Sequence, residues 1–338
     1  MSPDRLRRLI FDFARRPPNC LNRPPLKATT DNSEVLALRD LEARQFPGKP
    51  LAVLGHPIGH SLSPLMHNTA LAGLTQDDPR FADWGYFRFD VPPDELPEAL
   101  KTLHARGFHG LNLTVPHKIL AVNEVAIIDE AAKPVGAVNT LRRTAQGWHG
   151  FNTDGYGLAT AVQETLGLEL HGRHVVLLGA GGAARGAAVE CLQRQCASLW
   201  IANRTAANLE TLLAALRPIA NGIPLHGFSP AEIPAGLPAG TLVVNATAAG
   251  LRETDPAPIA LDRIPRPAGV YDMIYNPPLT PLLRAARDLG LPQANGRSML
   301  VHQGAKALEI WSGVPAGKTA PLMAGALTSP ADGEANRP

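Results

Sequence analysis

Two α/β units in one chain are what this sequence predicts, and three observations carry that expectation. The first is the stretch His174-Val-Val-Leu-Leu-Gly-Ala-Gly-Gly-Ala-Ala-Arg185, an apolar strand over 175–178 that runs into a glycine turn and a helix starting near Ala183. Gly179, Gly181 and Ala184 stand at the spacing of the dinucleotide fingerprint. There the first glycine allows a tight turn, the second lets backbone approach a pyrophosphate, and a small third residue lets helix and strand pack closely. The second observation is the alternation that follows: strand over 199–202, helix over 206–216, strands over 241–244 and 269–274, the order of a parallel sheet flanked by helices. The third is length, since 338 residues suit two domains with a core each. A Rossmann-type domain is therefore expected over 156–296, preceded by an α/β domain over 49–155 that supplies the substrate groups.

The composition excludes several classes. A net charge of +2 is too small to favour nucleic acid or an acidic membrane surface, and 45% hydrophobic content describes an ordinary globular protein. No apolar run reaches the roughly 20 residues of a membrane helix. Cys20, Cys191 and Cys196 lack metal-type spacing and read as inert thiols in a reducing compartment, so no metal site is expected. Arg7-Arg8-Leu9-Ile10-Phe11 is superficially similar to a twin-arginine signal, but Asp12 breaks the apolar run, and a cytoplasmic location is the expectation. Residues 1–48 are rich in arginine and proline and are expected to form a poorly ordered extension; 316–338, rich in proline, alanine and glycine, are expected to be a flexible tail.

Between these ends the elements follow in order. Residues 51–54 read as a short buried strand, and Ser63-Pro64 as a helix start with serine at the N-cap and proline at the first helical position. A strand is expected within 81–91, a helix over 94–106 and a strand over 110–115. Residues 138–142 and 147–151 form a hairpin or edge pair, and 154–166 a helix leading into the second unit. Thr280-Pro281 opens a helix to Leu289, and Met299 to Trp311 is a long apolar helix.

Several clusters carry chemistry. A site for NAD places an acid on the ribose about 20 residues past the glycine turn. Here the corresponding residues are Asn203, Arg204 and Thr205, donors that suit a 2′-phosphate, so NADP is the expected cofactor. Ser61 and Ser63 surround a helix N-terminus able to hold a small carboxylate, although for this stretch taken alone simple capping by Ser63, with Ser61 a loop residue, is the better reading. Asn112 and Thr114 share one face of a strand, and Lys118 follows a proline-marked turn; the alternative is a half-exposed edge with a surface lysine. Asn139 and Asp154 follow two more apolar strands. Asp154 suits an N-cap, and paired with Lys118 it would form the proton-transfer couple of an alcohol–ketone interconversion.

Taken together, these blocks resemble the shikimate dehydrogenases from Leu51 to Gly313. The likeness rests on Gly55-His-Pro-Ile-Gly-His-Ser-Leu-Ser-Pro64, Asn112-Leu-Thr-Val-Pro-His-Lys118, Ala137-Val-Asn-Thr140, Asn152-Thr-Asp-Gly155, the glycine turn and Asn203-Arg-Thr205. It continues through Asn245-Ala-Thr247, Asp272-Met-Ile-Tyr-Asn-Pro277 and Met299-Leu-Val-His-Gln-Gly-Ala305. The resemblance implies reversible NADPH-dependent reduction of 3-dehydroshikimate to shikimate, in chorismate and aromatic amino acid biosynthesis. It implies a carboxylate held by Ser61, Ser63 and Tyr275, ring hydroxyls met by Asn112, Thr114, Asn139, Asp154 and Gln303, and a catalytic pair of Lys118 and Asp154. Gly179, Ala180, Gly181, Gly182, Ala183, Asn203, Arg204, Thr205, Thr247, Met273 and Gly296 are the implied cofactor contacts. It further implies that 297–315 return to the first domain and that the enzyme is a monomer or homodimer. Rival expectations are a quinate or dual quinate/shikimate dehydrogenase, a glutamyl-tRNA reductase, which needs a cysteine the first domain lacks, and a non-catalytic NADP-binding regulator.

Overall fold

The computed structural model describes residues 32–46, 48–252 and 254–327. A short helix α1 (Asp40–Ala43) leads into β1 (Lys49–Gly55), α2 (Ser63–Asp77), β2 (Trp84–Asp90), α3 (Leu96–Ala105) and β3 (Gly110–Leu113). One turn of helix, α4 (His117–Leu120), precedes β4 (Ile127–Ile128), β5 (Thr140–Thr144) and β6 (Gly147–Phe151). These strands form a mixed sheet in the order β2-β1-β3-β5-β6-β4, parallel at β1–β2, β1–β3 and β4–β6 and antiparallel from β3 through β5 to β6.

Helix α5 (Asp154–Leu166) connects to a second sheet made of β7 (His174–Leu178), β8 (Ser198–Ala202), β9 (Leu225–Phe228), β10 (Leu242–Asn245), β11 (Gly269–Asp272) and β12 (Gln293–Ala294). Its order, β9-β8-β7-β10-β11-β12, is wholly parallel and corresponds to 3-2-1-4-5-6 within the unit, the doubly wound arrangement with a crevice where the order reverses between β7 and β10. The crossover helices are α6 (Gly182–Gln193), α7 (Ala206–Leu216) and α8 (Pro281–Asp288). Period-2 alternation decides which core each strand residue joins: Val175 and Leu177 pack with α6 and α7, whereas Val176 and Leu178 pack with Leu282 and Leu283 of α8. Burial on both faces explains why these strands read as continuous apolar runs.

The last long helix, α9 (Arg297–Ser312), crosses back. Val301, Ala305, Leu308 and Trp311 join Leu51 and Val53 of β1 in one core, and the Trp311 indole N–H donates to the Leu141 carbonyl at 2.9 Å. A Cβ at position 110 would lie 2.2 Å from that indole nitrogen, so only glycine admits the helix at this distance.

Two expectations about the ends require correction. Residues 316–327, assigned to a flexible tail, form α10 (Ala316–Leu327), with Ala316, Ala320 and Met323 buried against α2 and α9. The small residues that made this stretch look structureless are what allow the helices to approach closely. Similarly, 32–46 of the supposed extension are built into the first unit. Leu36 bridges Phe89 on the edge strand β2, Leu41 is buried, and the Phe46 ring packs on Phe87 and Phe108. Residues 1–31 and 328–338 lie outside the described chain. Three short strands also escaped the sequence pattern. β4 and β12 have two residues each, and β9, Leu-His-Gly-Phe, lies on the sheet's outer edge with two of its four residues exposed.

Candidate active site and dinucleotide crevice

The C-terminal ends of β1 and β3, the start of α2 and the first turns of α5 and α9 converge on a cavity of about 450 Å³. Ser61, Ser63, Asn112, Thr114 and Lys118 line one side, with Asp154, Tyr275 and Gln303 completing it. The structure thus gathers residues spread from position 61 to position 303. At its centre, Lys118 Nζ donates to Asp154 Oδ2 at 2.6 Å, the two side chains remaining 25% and 24% exposed, so the pair is held yet reachable. Asp154 begins α5, and its second oxygen, Oδ1, accepts from Asn139 Nδ2 at 2.8 Å.

Asn139, expected to meet a ring hydroxyl, is tied to protein groups in this structure. Its side chain is 2% exposed and absent from the cavity wall. The amide oxygen accepts from the Thr153 N–H at 2.9 Å and from the Thr140 hydroxyl, also at 2.9 Å; the amide nitrogen serves Asp154 and Thr153. The result is a support beneath Asp154. Asn112 is anchored as well: Nδ2 donates to Asn139 O and Thr140 Oγ1, and Oδ1 accepts from the Tyr86 hydroxyl at 2.7 Å. Tyr86 was not expected. It lies on β2, is 1% exposed, and closes a hydrogen-bonded chain running from β2 through Asn112, Thr140 and Asn139 to Asp154.

Helix capping at the serine loop also differs from expectation. Leu62 occupies the N-cap of α2 with no side-chain bond of its own, and Ser61 Oγ accepts the Ser63 N–H at 3.3 Å. Ser63, far from being the cap, is the first helical residue and lines the cavity. Burial pushes the Tyr275 phenol above its ordinary range, so it lines the same cavity as a neutral donor.

The second cavity, about 500 Å³, occupies the crevice between β7 and β10. Gly179, Ala180, Gly181, Asn203, Arg204 and Thr247 line it, as expected for cofactor groups. Gly179 has φ +112°, which demands glycine, and a Cβ there would also be crowded at 3.0 Å from Thr247 Cγ2. Gly181, by contrast, faces open space where a ligand would lie. It is the N-cap of α6 and makes no side-chain capping bond, and no acid occupies the first turn. The leading N–H groups of α6 therefore suit an anion. These residues fit a phosphorylated dinucleotide.

Five expected cofactor residues lie elsewhere. Thr205 is the exposed N-cap of α7 and sits outside the crevice wall. Gly182 and Ala183 face a smaller cavity of about 260 Å³ that also touches Lys118, Asp154 and Met273. Met273 and Gly296 line the substrate-side cavity, where a Cβ on Gly296 would be 2.1 Å from the Met273 carbonyl. The small cavity joins the glycine turn to the Lys118–Asp154 pair, so Met273 stands where the two units face one another.

A buried carboxylate that begins the block 272–277, and to which the sequence assigns no role, holds this region together. Asp272 accepts from Asn245 Nδ2 at 2.9 Å, Thr280 Oγ1 at 2.6 Å and the Ile274 N–H at 3.0 Å, while burial raises its pKa. Asn245 Oδ1 in turn receives the Thr247 hydroxyl at 2.7 Å. Asp255 also lines the crevice; the N–H groups of Gly250 and Arg252 bind its carboxylate and hold it below the usual range.

Comparison with known proteins agrees with this geometry. Residues 53–141 match the shikimate dehydrogenase substrate binding domain, and 296–320 match the shikimate 5′-dehydrogenase C-terminal domain. A shikimate dehydrogenase (NADP(+)) of Geobacter metallireducens is 39% identical over 267 residues, covering 78% of this chain and 91% of the relative. Among solved structures, shikimate 5-dehydrogenase of Thermus thermophilus in complex with NADP(H) and shikimate superposes with TM-score 0.70 at 33% identity, over 82% of this chain and all 100% of that one. A 5-ketofructose reductase of Gluconobacter, in ligand-free form, reaches the same TM-score of 0.70 at 30% identity, over 83% and 99% of the two chains. Identity across most of both sequences, together with a cavity assembled from the expected motifs, places this chain in the shikimate dehydrogenase family.

Proposed function

We propose that this enzyme interconverts 3-dehydroshikimate and shikimate with NADP(H), in the cytoplasm, as a step of aromatic amino acid biosynthesis. The observation that carries this reading is the Lys118–Asp154 pair, 2.6 Å apart on a wall shared with Ser61 and Ser63. Gly179, Ala180, Gly181, Asn203, Arg204 and Thr247 would hold NADPH, which when bound would supply the hydride. Protonated Lys118 Nζ donates its proton to the ketone oxygen as negative charge develops there, acting as donor and as electrostatic support. Asp154 Oδ2 orients the ammonium, and Asn139 fixes the carboxylate through Oδ1. Ser61, Ser63 and the neutral Tyr275 phenol hold the substrate carboxylate. Asn112, Thr114 and Gln303 meet ring hydroxyls, with Asn139 acting one layer behind.

The Gluconobacter neighbour is named for a ketose, which has no carboxylate, so the serine wall is the feature on which the substrate assignment turns. The test is NADP reduction with shikimate, quinate and a carboxylate-free polyol in parallel. Shikimate should be turned over with the highest kcat/KM. Preference for quinate or for the polyol would overturn the assignment.

A further inference from the structure

The serine loop has an internal anchor that its motif does not reveal. Arg88, on the edge strand β2, is 6% exposed. Its guanidinium donates to the carbonyls of Gly59 and Ser61, the latter at 2.9 Å, and to that of Asn32 at 2.8 Å. The first two belong to the loop that delivers Ser61 and Ser63; the third belongs to the chain before the region that matches the family. That preceding segment is tied at further points. The Leu36 N–H donates to the Arg88 carbonyl at 2.9 Å, and the Asp90 N–H to the Leu36 carbonyl at 2.8 Å. Asn68 of α2 donates to Asn32 Oδ1 at 2.7 Å and pairs with both backbone groups of Tyr86.

We propose that Arg88, clamped by residues 32–36, is the positioning residue for the carboxylate-binding serines. A planar guanidinium spans several carbonyls in fixed directions, which a lysine ammonium cannot reproduce. Here it fixes the Ser61 carbonyl, and Ser61 Oγ fixes the Ser63 N–H, so both hydroxyls and the start of α2 inherit one geometry. The segment ahead of the family-matched region thereby becomes a support of the substrate site. This inference rests on the proposed carboxylate substrate.

The experiment compares the full chain with Arg88→Met, Arg88→Lys and a chain beginning Met-Ser33, using shikimate and its methyl ester as substrates. Arg88→Met should raise KM for shikimate about tenfold, the equivalent of ~1.4 kcal/mol. Turnover and KM for NADP should stay within about twofold, as expected when only substrate binding is lost. Arg88→Lys should restore part of the loss, and the shortened chain should shift KM for shikimate in the same direction by less. With the methyl ester, all four proteins should have similar KM values. Unchanged KM for shikimate in Arg88→Met or in Arg88→Lys overturns the proposal. So do parallel rises in KM for shikimate, ester and NADP, or a fall in melting temperature with no selective effect on shikimate. Failure of the full chain itself to turn over shikimate would instead refute the functional assignment.

Discussion

The two walls that meet near Lys118 are built on opposite plans. On the substrate side the polar side chains are linked to one another: Tyr86 to Asn112, Asn112 to Thr140, Thr140 to Asn139, Asn139 to Asp154, and Asp154 to Lys118. On the cofactor side a linked set (Thr247, Asn245, Asp272, Thr280) lies beneath the crevice floor, whereas the Arg204 side chain is exposed, Gly181 borders open space, and the first turn of α6 has no side-chain cap. The contrast follows from what each wall recognises. Hydroxyls and a reacting ketone require donors and acceptors fixed in direction before the ligand arrives, because misplacement is costly in the transition state. Phosphates require accessible charge and free N–H groups, which act over a wider range of geometry.

Substitutions on the two walls should therefore fail in different ways. The largest effect is expected at the reacting atoms. Lys118→Ala should lower kcat by roughly 10²–10⁴-fold while leaving the dissociation constant for shikimate nearly unchanged, as removal of a positioned proton donor does. Equilibrium binding by fluorescence beside steady-state kinetics checks both halves, and near-normal turnover would remove Lys118 from the chemistry. Next comes Arg204→Ala. Loss of a charge-assisted pair with the 2′-phosphate should raise KM for NADP on the order of tenfold or more with little change for NAD. Equal rises for both cofactors would mean that Arg204 does not read the phosphate. Tyr86→Phe should be milder. It leaves one acceptor on Asn112 unfilled and should raise KM for shikimate by about threefold to tenfold, the worth of one buried hydrogen bond. KM for NADP should not move, and an effect on both cofactor and substrate would break the separation of the two walls.

This difference in construction also explains what the sequence made legible. The glycine turn, its strand and its helix are contiguous, so their chemistry is written in a single stretch, and α5 and α7 follow the bounds expected from apolar periodicity, although neither N-cap, Thr153 or Thr205, makes a side-chain capping bond. Lys118, Asp154 and the serines were found through local motifs. Tyr86, Arg88 and Asn68 were not, because their roles depend on how distant strands align. In the parallel register Leu51 lies opposite both Tyr86 and Gly110, and Val53 opposite both Arg88 and Asn112. Only that alignment brings a tyrosine on β2 to an asparagine on β3 across β1. Asn139 was placed in the right cluster but its bond to Asp154 was not legible, since no spacing rule shows which side chains hold one another. The ends were misjudged for another reason: alanine, proline and arginine content says little about a segment whose order comes from docking on an existing core.

The substrate wall carries one more consequence that the cofactor wall lacks. His67 on α2 is fully buried, its ring stacked on Tyr86 with 4.1 Å between centroids and an angle of 1°. Neither ring nitrogen has a hydrogen-bond partner among the described residues, and burial lowers its pKa from 6.5 to about 3. The direction of the resulting linkage is fixed. Below pH 6.5 the unfolded chain takes up a proton that the folded chain refuses until about pH 3. Stability contributed by neutral His67 is therefore fully present above pH 6.5 and is lost progressively as pH falls through that window. One proton gives a slope approaching ~1.4 kcal/mol per pH unit. His67→Phe retains a ring for Tyr86 and removes the titration, so its unfolding free energy, measured by urea denaturation between pH 4 and pH 7, should depend less steeply on pH by up to that amount. Arg204→Ala, on the other wall, should follow the slope of the unaltered protein. Parallel lines for His67→Phe and the unaltered protein would mean that acid sensitivity originates elsewhere, and the substrate wall would then owe nothing to a neutral histidine behind its tyrosine.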